Sequence, residues 1–189
     1  MSTQELVGQC IADSSRVIQS LESHAEVIAS AADRMVEVLR GGGKVLSAGN
    51  GGSAAEALHL AEELVGRFRA DRVSLPGISL SADCTTMTCI ANDFGFESVF
   101  SRQIEGLAQA GDMLVLFTTS GNSENMVRAM DAARERGLIV LSLLGKGGGK
   151  LAGRGDFDVI VDHDQAERIQ EAHQVVMHIL LEAVERAFV

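Results

Sequence analysis

Five short apolar segments, separated by longer segments with helical periodicity, constrain the fold of this chain most strongly. The clearest one, residues 112–117, is nearly all apolar and lacks the polar–apolar alternation that marks a strand with one exposed face. The segments span residues 44–46, 73–80, 112–117, 138–144 and 157–161. Strands that are apolar on both faces and alternate with helices are typical of a parallel sheet with helices on both sides. The sequence therefore predicts an α/β fold, a three-layer α/β/α sandwich.

Two amphipathic helices are predicted before the first strand, at residues 2–22 and 24–39. In the first, apolar residues recur at helical spacing at Val7, Ile11, Ile18 and Leu21. Either these helices cover the sheet, or residues 1–40 pack on another subunit and serve in oligomerisation. Later helices are predicted at residues 54–68, 83–93, 98–107, 124–136 and 166–188.

Length, charge and cysteine content limit the function classes. A chain of 189 residues fits one domain with a full core. The net charge of −10 argues against a nucleic-acid partner, because phosphate backbones require basic patches. No apolar run approaches the roughly 20 residues of a membrane span. An odd number of cysteines, Cys10, Cys84 and Cys89, without an export signal predicts a cytoplasmic protein with reduced thiols.

The first strand leads into a glycine-rich turn, Gly49-Asn50-Gly51-Gly52-Ser53, and then into a helix. Such a turn leaves backbone N–H groups free, and these groups together with the positive end of the helix attract an anion such as phosphate. The Ser53 hydroxyl can cap the helix or bind that anion. The turn matches neither the Walker loop nor the dinucleotide fingerprint, so by itself it is equally well interpreted as an ordinary strand-to-helix turn.

A second polar turn follows the strand at residues 112–117. It has four hydroxyl groups within six residues, at Thr118, Thr119, Ser120 and Ser123. Hydroxyl and backbone N–H groups bind a phosphate monoester without a charged side chain. Because the carboxyl ends of parallel strands lie at one edge of a sheet, we expect the two turns to lie close together. The pair predicts a site for a sugar phosphate or a similar anion.

His59 and Glu63, on the helix after the first turn, are candidates for acid–base chemistry or metal binding. They are four residues apart and therefore share one helix face, about 6 Å apart along the axis. Such a pair can hold a divalent metal, or act as acid and base. The alternative is an exposed pair that stabilises the helix slightly.

The last predicted helix contains Gln170, His173 and His178. His173 is expected to be a half-buried histidine with a hydrogen bond. Gln170 and His178 are about 12 Å apart along a helix and about 80° apart around it, so one straight helix does not easily direct both at a single ion. Three explanations are open: the helix is disturbed near Gln170, the glutamine side chain reaches back, or the two residues serve sites in different subunits.

Six motifs occur in order along nearly the whole chain. They are Gly49-Asn50-Gly51-Gly52-Ser53, His59-x-x-x-Glu63-Leu64-x-Gly66-Arg67-Phe68, Asn92-Asp93-Phe94-Gly95, Thr119-Ser120-Gly121-Asn122-Ser123, Gly145-Lys146-x-Gly148-Gly149 and Arg168-Ile169-Gln170-Glu171-x-His173. Together they resemble the phosphoheptose isomerases, a family of the sugar isomerase (SIS) domain group.

The resemblance implies a five-stranded parallel sheet of flavodoxin-like order, one SIS domain over residues 1–189, and a homotetramer with shared active sites. It also implies a ketose–aldose isomerase that converts sedoheptulose 7-phosphate to D-glycero-D-manno-heptose 7-phosphate through an enediol. That reaction is the first step of ADP- or GDP-heptose synthesis, which serves lipopolysaccharide.

The resemblance also implies roles for individual residues. One zinc ion per subunit would be held by His59, Glu63, Gln170 and His178. Glu63 would be the catalytic base, and His178, from a neighbouring subunit, the acid. Substrate contacts are implied at Asn50, Gly51, Gly52, Ser53, Glu63, Asn92, Asp93, Thr118, Thr119, Ser120, Ser123 and Gln170.

Two departures from the family pattern leave alternatives open. Thr118 replaces a serine and keeps the hydroxyl, whereas residues 164–167 lack a threonine that is frequent in the family. The exact sugar is therefore open, and an isomerase for another ketose phosphate is one alternative. The other is a non-catalytic SIS protein that binds a sugar phosphate or a replication initiator. The initiator-binding relative lacks the catalytic pair, which is present here as Glu63 and His178.

Overall fold

A sheet of five parallel strands lies at the centre of the computed structural model, which describes residues 1–189. The strands are β1 (Val45–Gly49), β2 (Gly77–Ser79), β3 (Met113–Thr118), β4 (Ile139–Gly145) and β5 (Phe157–Val161). Their spatial order is β2-β1-β3-β4-β5, and every neighbouring pair is parallel. All residues of β1 and β3 are buried, which explains why these segments lack alternating polar residues. The predicted parallel sheet and its flavodoxin-like order are confirmed.

Helices cover both faces of the sheet. One face carries α1 (Thr3–Ser20), α2 (Ala25–Arg40), α3 (Gly52–Val65) and α7 (Ala166–Phe188), and the other carries α4 (Cys84–Phe94), α5 (Ser101–Leu107) and α6 (Glu124–Glu135). Short 3-10 helices occur at Leu21–His24, Phe96–Ser98 and Lys146–Leu151. Along β3, Met113, Val115 and Phe117 join the first core, whereas Leu114 and Leu116 join the second. No helix has both the length and the hydropathy that crossing a bilayer requires.

Strand β2 is much shorter than the predicted segment, residues 73–80. Pro76 has no N–H group to donate to a neighbouring strand. Its carbonyl accepts from the Val45 amide at 2.9 Å, while the Leu75 amide turns to the Leu64 carbonyl of α3 at 3.0 Å. Ladder pairing with β1 therefore begins only at Gly77.

Three other boundaries differ from the prediction by three residues. Strand β1 extends to Gly49 rather than ending at residue 46, and α3 ends before Gly66 instead of continuing to residue 68. The segment 98–107 is helical only from Ser101, after the 3-10 turn.

The two N-terminal helices have different environments. Helix α2 buries one full face, including Ile28, Met35 and Leu39, against the sheet and α7. Helix α1 buries only Val17 and leaves other apolar side chains exposed: Leu6 by 45%, Val7 by 52% and Ile11 by 62%. Thus α2 covers the sheet, whereas the apolar stripe of α1 has no cover within the chain.

Candidate active site

The turns after β1 and β3 lie side by side at the carboxyl edge of the sheet, joined by a pair of amides. The Asn50 side-chain amide donates to the Asn125 carbonyl oxygen at 2.9 Å, and the Asn125 amide donates back to Asn50 at 2.9 Å. Asn125 is buried in the first turn of α6. The expected proximity of the turns is confirmed. Asn125 was missed, although a polar residue on the apolar face of a helix was the available signal.

Helix α7 packs on the first turn through the side chain of Gln170. A Cβ atom on Gly52 would lie 2.5 Å from Nε2 of Gln170, so in this arrangement the end of that side chain packs directly on the glycine. The Gln170 amide in turn donates to the buried Ser53 hydroxyl at 3.4 Å. Gln170 and Ser53, both predicted site residues, are therefore brought together at the amino end of α3.

Hydroxyl groups of the second turn are held by its own backbone. Thr118 Oγ1 accepts from the Gly121 amide at 3.2 Å, and Ser120 Oγ accepts from the Asn122 amide at 3.2 Å. A hydroxyl that accepts one bond still has its proton to donate, so both can bind an anion. Ser123 precedes α6 and makes no capping bond with its side chain, which leaves its hydroxyl free.

A third turn supports the second one. Gly121 has a φ of +61°, and a Cβ there would lie 1.8 Å from the carbonyl oxygen of Gly148. The turn at residues 146–151 therefore packs directly on the hydroxyl-rich turn and fixes its position.

The acid–base candidates meet where α3 and α7 pack side by side. His59 Nε2 lies 3.3 Å from Glu63 Oε1, and the His59 and His178 rings are 5.3 Å apart between centroids in an edge-on arrangement. The His178 of the same chain therefore lies beside this pair, and the contribution of a neighbouring subunit stays a prediction. Because both helices cover the same face of the sheet, the two rings meet within one chain.

The surroundings of His178 favour its neutral form. Partial burial lowers its pKa most, and repulsion from Arg69 and from a protonated His59 lowers it further, while Glu63 acts in the opposite direction. A neutral imidazole can both accept and donate a proton at neutral pH. His178 therefore has the properties of a proton carrier.

His173, expected to be half-buried, is in fact completely buried. Its Nε2 lies 3.1 Å from the Leu144 carbonyl, to which it donates, and its Nδ1 has no partner. Burial lowers the pKa of His173 to about 4. His173 therefore belongs to the core beneath the site, and its predicted hydrogen bond is present.

One group of side chains has the composition of a metal site. The candidate ligand atoms of His59, Glu62 and Glu63 lie within 4.8 Å of one another. Glu62 was not among the predicted ligands, although it lies three residues from His59 on the same helix face. Imidazole and carboxylate are donors that zinc accepts.

Gln170 and His178 contact opposite ends of α3. Helix α7 runs without interruption from Ala166 to Phe188, so the explanation that it is disturbed near Gln170 is wrong. The Gln170 amide lies at Ser53, not beside His178. Between the two, Gln174 lies close to both His59 and His178, and the sequence analysis missed it. Its position four residues from both Gln170 and His178 was the available signal.

Two predicted contacts lie apart from this arrangement. Asn92 and Asp93 are exposed at the end of α4, and the Asn92 amide donates to Asp93 at 2.7 Å rather than to either turn.

The sequence analysis also missed a buried carboxyl group in α3, that of Glu56. Burial raises the pKa of Glu56 to about 7, and the Ser53 hydroxyl counteracts this rise only in part.

Comparison with known sequences places this chain among sugar isomerases. Residues 9–145 match the model of the SIS domain. The chain is 47% identical to the phosphoheptose isomerase of Proteus mirabilis over 173 residues, which cover 91% of this chain and 89% of that protein. It is 50% identical to the phosphoheptose isomerase of Nitratiruptor over 153 residues, covering 81% of this chain and 82% of the relative.

Solved structures give the same result for the three-dimensional fold. The phosphoheptose isomerase of Neisseria gonorrhoeae superposes with a TM-score of 0.91 at 39% identity, covering 98% of this chain and 100% of the other. The overlap therefore includes the sheet, both helical layers and helix α7, beyond the residues matched by the family model.

Proposed function

Because the chain belongs to the phosphoheptose isomerases of the SIS domain family, we propose that it interconverts sedoheptulose 7-phosphate and D-glycero-D-manno-heptose 7-phosphate. One observation carries the proposal at the level of chemistry. The two turns that are suited to anion binding lie at the amino end of α3, one leading into the helix and the other beside it. His59, Glu63 and His178 converge further along the same helix. The site thus offers a phosphate anchor and acid–base groups on one helix.

The phosphate of the substrate is held by the two turns. The Gly51 and Gly52 amides, unlike those of Ser53 and Ala54, are not bonded within the turn. They and the hydroxyls of Ser53, Thr119, Ser120 and Ser123 supply donors without a cationic side chain. Ser53 and Glu63 are about 15 Å apart along the helix axis. A long sugar phosphate spans this separation better than a triose phosphate, so the spacing favours a heptose.

Isomerisation moves one hydrogen between adjacent carbons. Glu63 takes a proton from C1 of the ketose while the C2 carbonyl oxygen gains one, which forms an enediol. The O1 hydroxyl then loses its proton, and C2 receives one to give the aldose. His178 transfers the proton between the two oxygens, a role that its lowered pKa supports. Asn92 and Asp93 are proposed as further sugar contacts.

We propose one zinc ion per subunit, held by His59, Glu63, Gln170 and His178. The donor set suits zinc, and the compact group of His59, Glu62 and Glu63 supports the location. Gln170 fits this set less well, since its amide is bonded to Ser53. A bound zinc would polarise the substrate oxygens or order the site.

The remaining assignments concern assembly and location. We propose that residues 1–189 form a single domain and that four copies form a homotetramer with shared active sites, in which α1 lies at an interface. The exposed apolar stripe of α1 supports this arrangement.

We also propose a cytoplasmic role in heptose synthesis for lipopolysaccharide, consistent with three exposed, unpaired cysteines.

Incubation with sedoheptulose 7-phosphate in heavy water tests the reaction. NMR should detect an aldose 7-phosphate with one deuterium at C2, because the proton passes through a carboxylate that exchanges with solvent. Fructose 6-phosphate and ribulose 5-phosphate serve as comparison substrates. Absence of an aldose from the heptulose, together with turnover of another ketose phosphate, would contradict the substrate assignment and favour the alternative isomerase.

A further inference from the structure

The side-chain amide of Gln174 lies between the two histidines of the site. Its Nε2 is 2.6 Å from Nδ1 of His59 and 3.2 Å from Nε2 of His178. Gln174 is partly buried, one helical turn before His178 and one turn after Gln170 on α7. No other side chain contacts both rings by hydrogen bonds.

These contacts determine where the ring protons are. With its amide nitrogen between the rings, Gln174 can only donate, so this arrangement pairs it with an unprotonated Nδ1 of His59 and an unprotonated Nε2 of His178. A neutral His59 then carries its proton on Nε2, which points at the Glu63 carboxylate 3.3 Å away. A neutral His178 carries its proton on Nδ1. One amide thus fixes the tautomers of both rings.

We propose that Gln174 is a positioning residue that sets the tautomers of His59 and His178 and thereby controls whether they can bind a metal. In the arrangement seen, the ring nitrogens that face Glu63 and Gln174 are both occupied by hydrogen bonds. A metal at Nε2 of His59 requires the ring proton on Nδ1. Rotation of the Gln174 amide would present its oxygen to that Nδ1–H and would release Nε2 of His178.

The choice of side chain supports this role. An amide has a donor and an acceptor at nearly equivalent ends, so rotation about one bond exchanges them. A carboxylate could only accept, and an aliphatic side chain could do neither. Partners of this kind on the second ring nitrogen typically change metal affinity by 10- to 100-fold. The inference rests on the proposed metal site at His59 and Glu63.

Zinc affinity of the chelator-treated, full-length protein provides the first test, measured by competition with a chromophoric chelator. Gln174→Met keeps the size of the side chain but removes its hydrogen bonds, and should weaken zinc binding about 10- to 100-fold. Gln174→Glu accepts only, favours the Nδ1–H form of His59, and should bind zinc at least as tightly as the wild type. Gln109→Met, at an exposed glutamine before β3, is the matched control.

Ring tautomers provide the second test and do not depend on turnover. Nitrogen-15 NMR of histidine-labelled, metal-free protein should show His59 protonated at Nε2 and His178 at Nδ1, and Gln174→Met should abolish both preferences. Unchanged tautomers in that variant, or zinc affinity equal to that of Gln109→Met, would overturn the proposal. If the wild type fails to isomerise the heptulose, the proposed function is lost, but both measurements still decide the role of Gln174.

Discussion

Burial separates the roles of two histidines that lie five residues apart on α7. His173 is fully buried and its pKa is lowered to about 4, whereas the half-buried His178 faces His59 and Glu63. The first contributes to the core, and the second is the proposed acid–base group. Each role leads to a measurable consequence.

His173 should make stability depend on pH. Its pKa is about 4 when folded and about 6.5 when unfolded, so between these values the unfolded chain binds more protons. The contribution of His173 to the unfolding free energy should therefore rise by about 3 kcal/mol from pH 4 to pH 6.5 and then stay level. Glu56, with its raised pKa, acts in the opposite direction from about pH 4.5 to 7.

Comparing variants isolates this contribution. Denaturant unfolding of His173→Gln across the same pH range should show a smaller rise than the wild type, and His24→Gln, at a histidine near the surface, should behave like the wild type. A wild-type slope in His173→Gln would show that this residue is not the cause.

Glu63 should be essential for turnover but not for folding. Glu63→Gln keeps the shape and the polar contacts of the side chain but removes the base, so we expect kcat to fall at least about a hundredfold. Circular dichroism and light scattering should show an unchanged fold and assembly. Glu135→Gln, at an exposed carboxylate on α6, is the control that should keep its activity. Full activity of Glu63→Gln would exclude Glu63 as the base.

Between elements, the amide pair Asn50–Asn125 couples the two turns, and its loss should weaken substrate binding. Asn125→Ala leaves the Asn50 amide without its partner, an effect worth about 1–3 kcal/mol. Because the turns are the proposed anchor of the remote phosphate, we expect KM to rise about tenfold and kcat to change less.

A double-mutant cycle measures this coupling. If the two side chains act as a pair, Asn50→Ala combined with Asn125→Ala should be no worse than the more damaging single variant. Additive losses would show that the two residues act independently.

Elements that depend on local pattern were predictable, whereas contacts between helices were not. The apolar runs identified all five strands, and glycine-rich turns identified the sheet edge. The extent of β2 was missed because Pro76 interrupts pairing, a consequence of where its neighbours lie. Asn125 and Gln174 were missed for a different reason. Asn50 and His59, the partners of Asn125 and Gln174, are more than 70 residues away in sequence. Only the approach of the two turns at the sheet edge and the packing of α3 against α7 bring these pairs together.

At the scale of the whole molecule, the uncovered stripe on α1 is the clearest sign of assembly. Three of its apolar side chains, Leu6, Val7 and Ile11, are about half exposed or more in the single chain. The helix is nevertheless firmly attached: Arg168 of α7 donates to the Cys10 carbonyl at 3.0 Å and to the Ser14 hydroxyl. A well-fixed helix with an apolar outer face is typical of an interface between subunits.

Charges introduced on this stripe should therefore disperse the proposed tetramer without unfolding the chain. Val7→Glu with Ile11→Glu alters two side chains that are already exposed in the monomer, but would place carboxylates in an apolar interface, where each apolar side chain contributes about 1.5–3 kcal/mol. Sedimentation velocity should show a shift from a tetramer of 20.0 kDa chains to smaller species, with unchanged circular dichroism.

Leu107→Glu, at an exposed leucine that ends α5 on the opposite face of the sheet, is the matched control and should remain tetrameric. Activity then tests whether sites are shared. His59, Glu63 and His178 meet within one chain, so dispersal should leave their chemistry assembled but remove whatever a neighbouring subunit adds to the substrate pocket. A dispersed, folded protein with wild-type kcat and KM would contradict shared active sites, and a variant that stays tetrameric would exclude α1 from the interface.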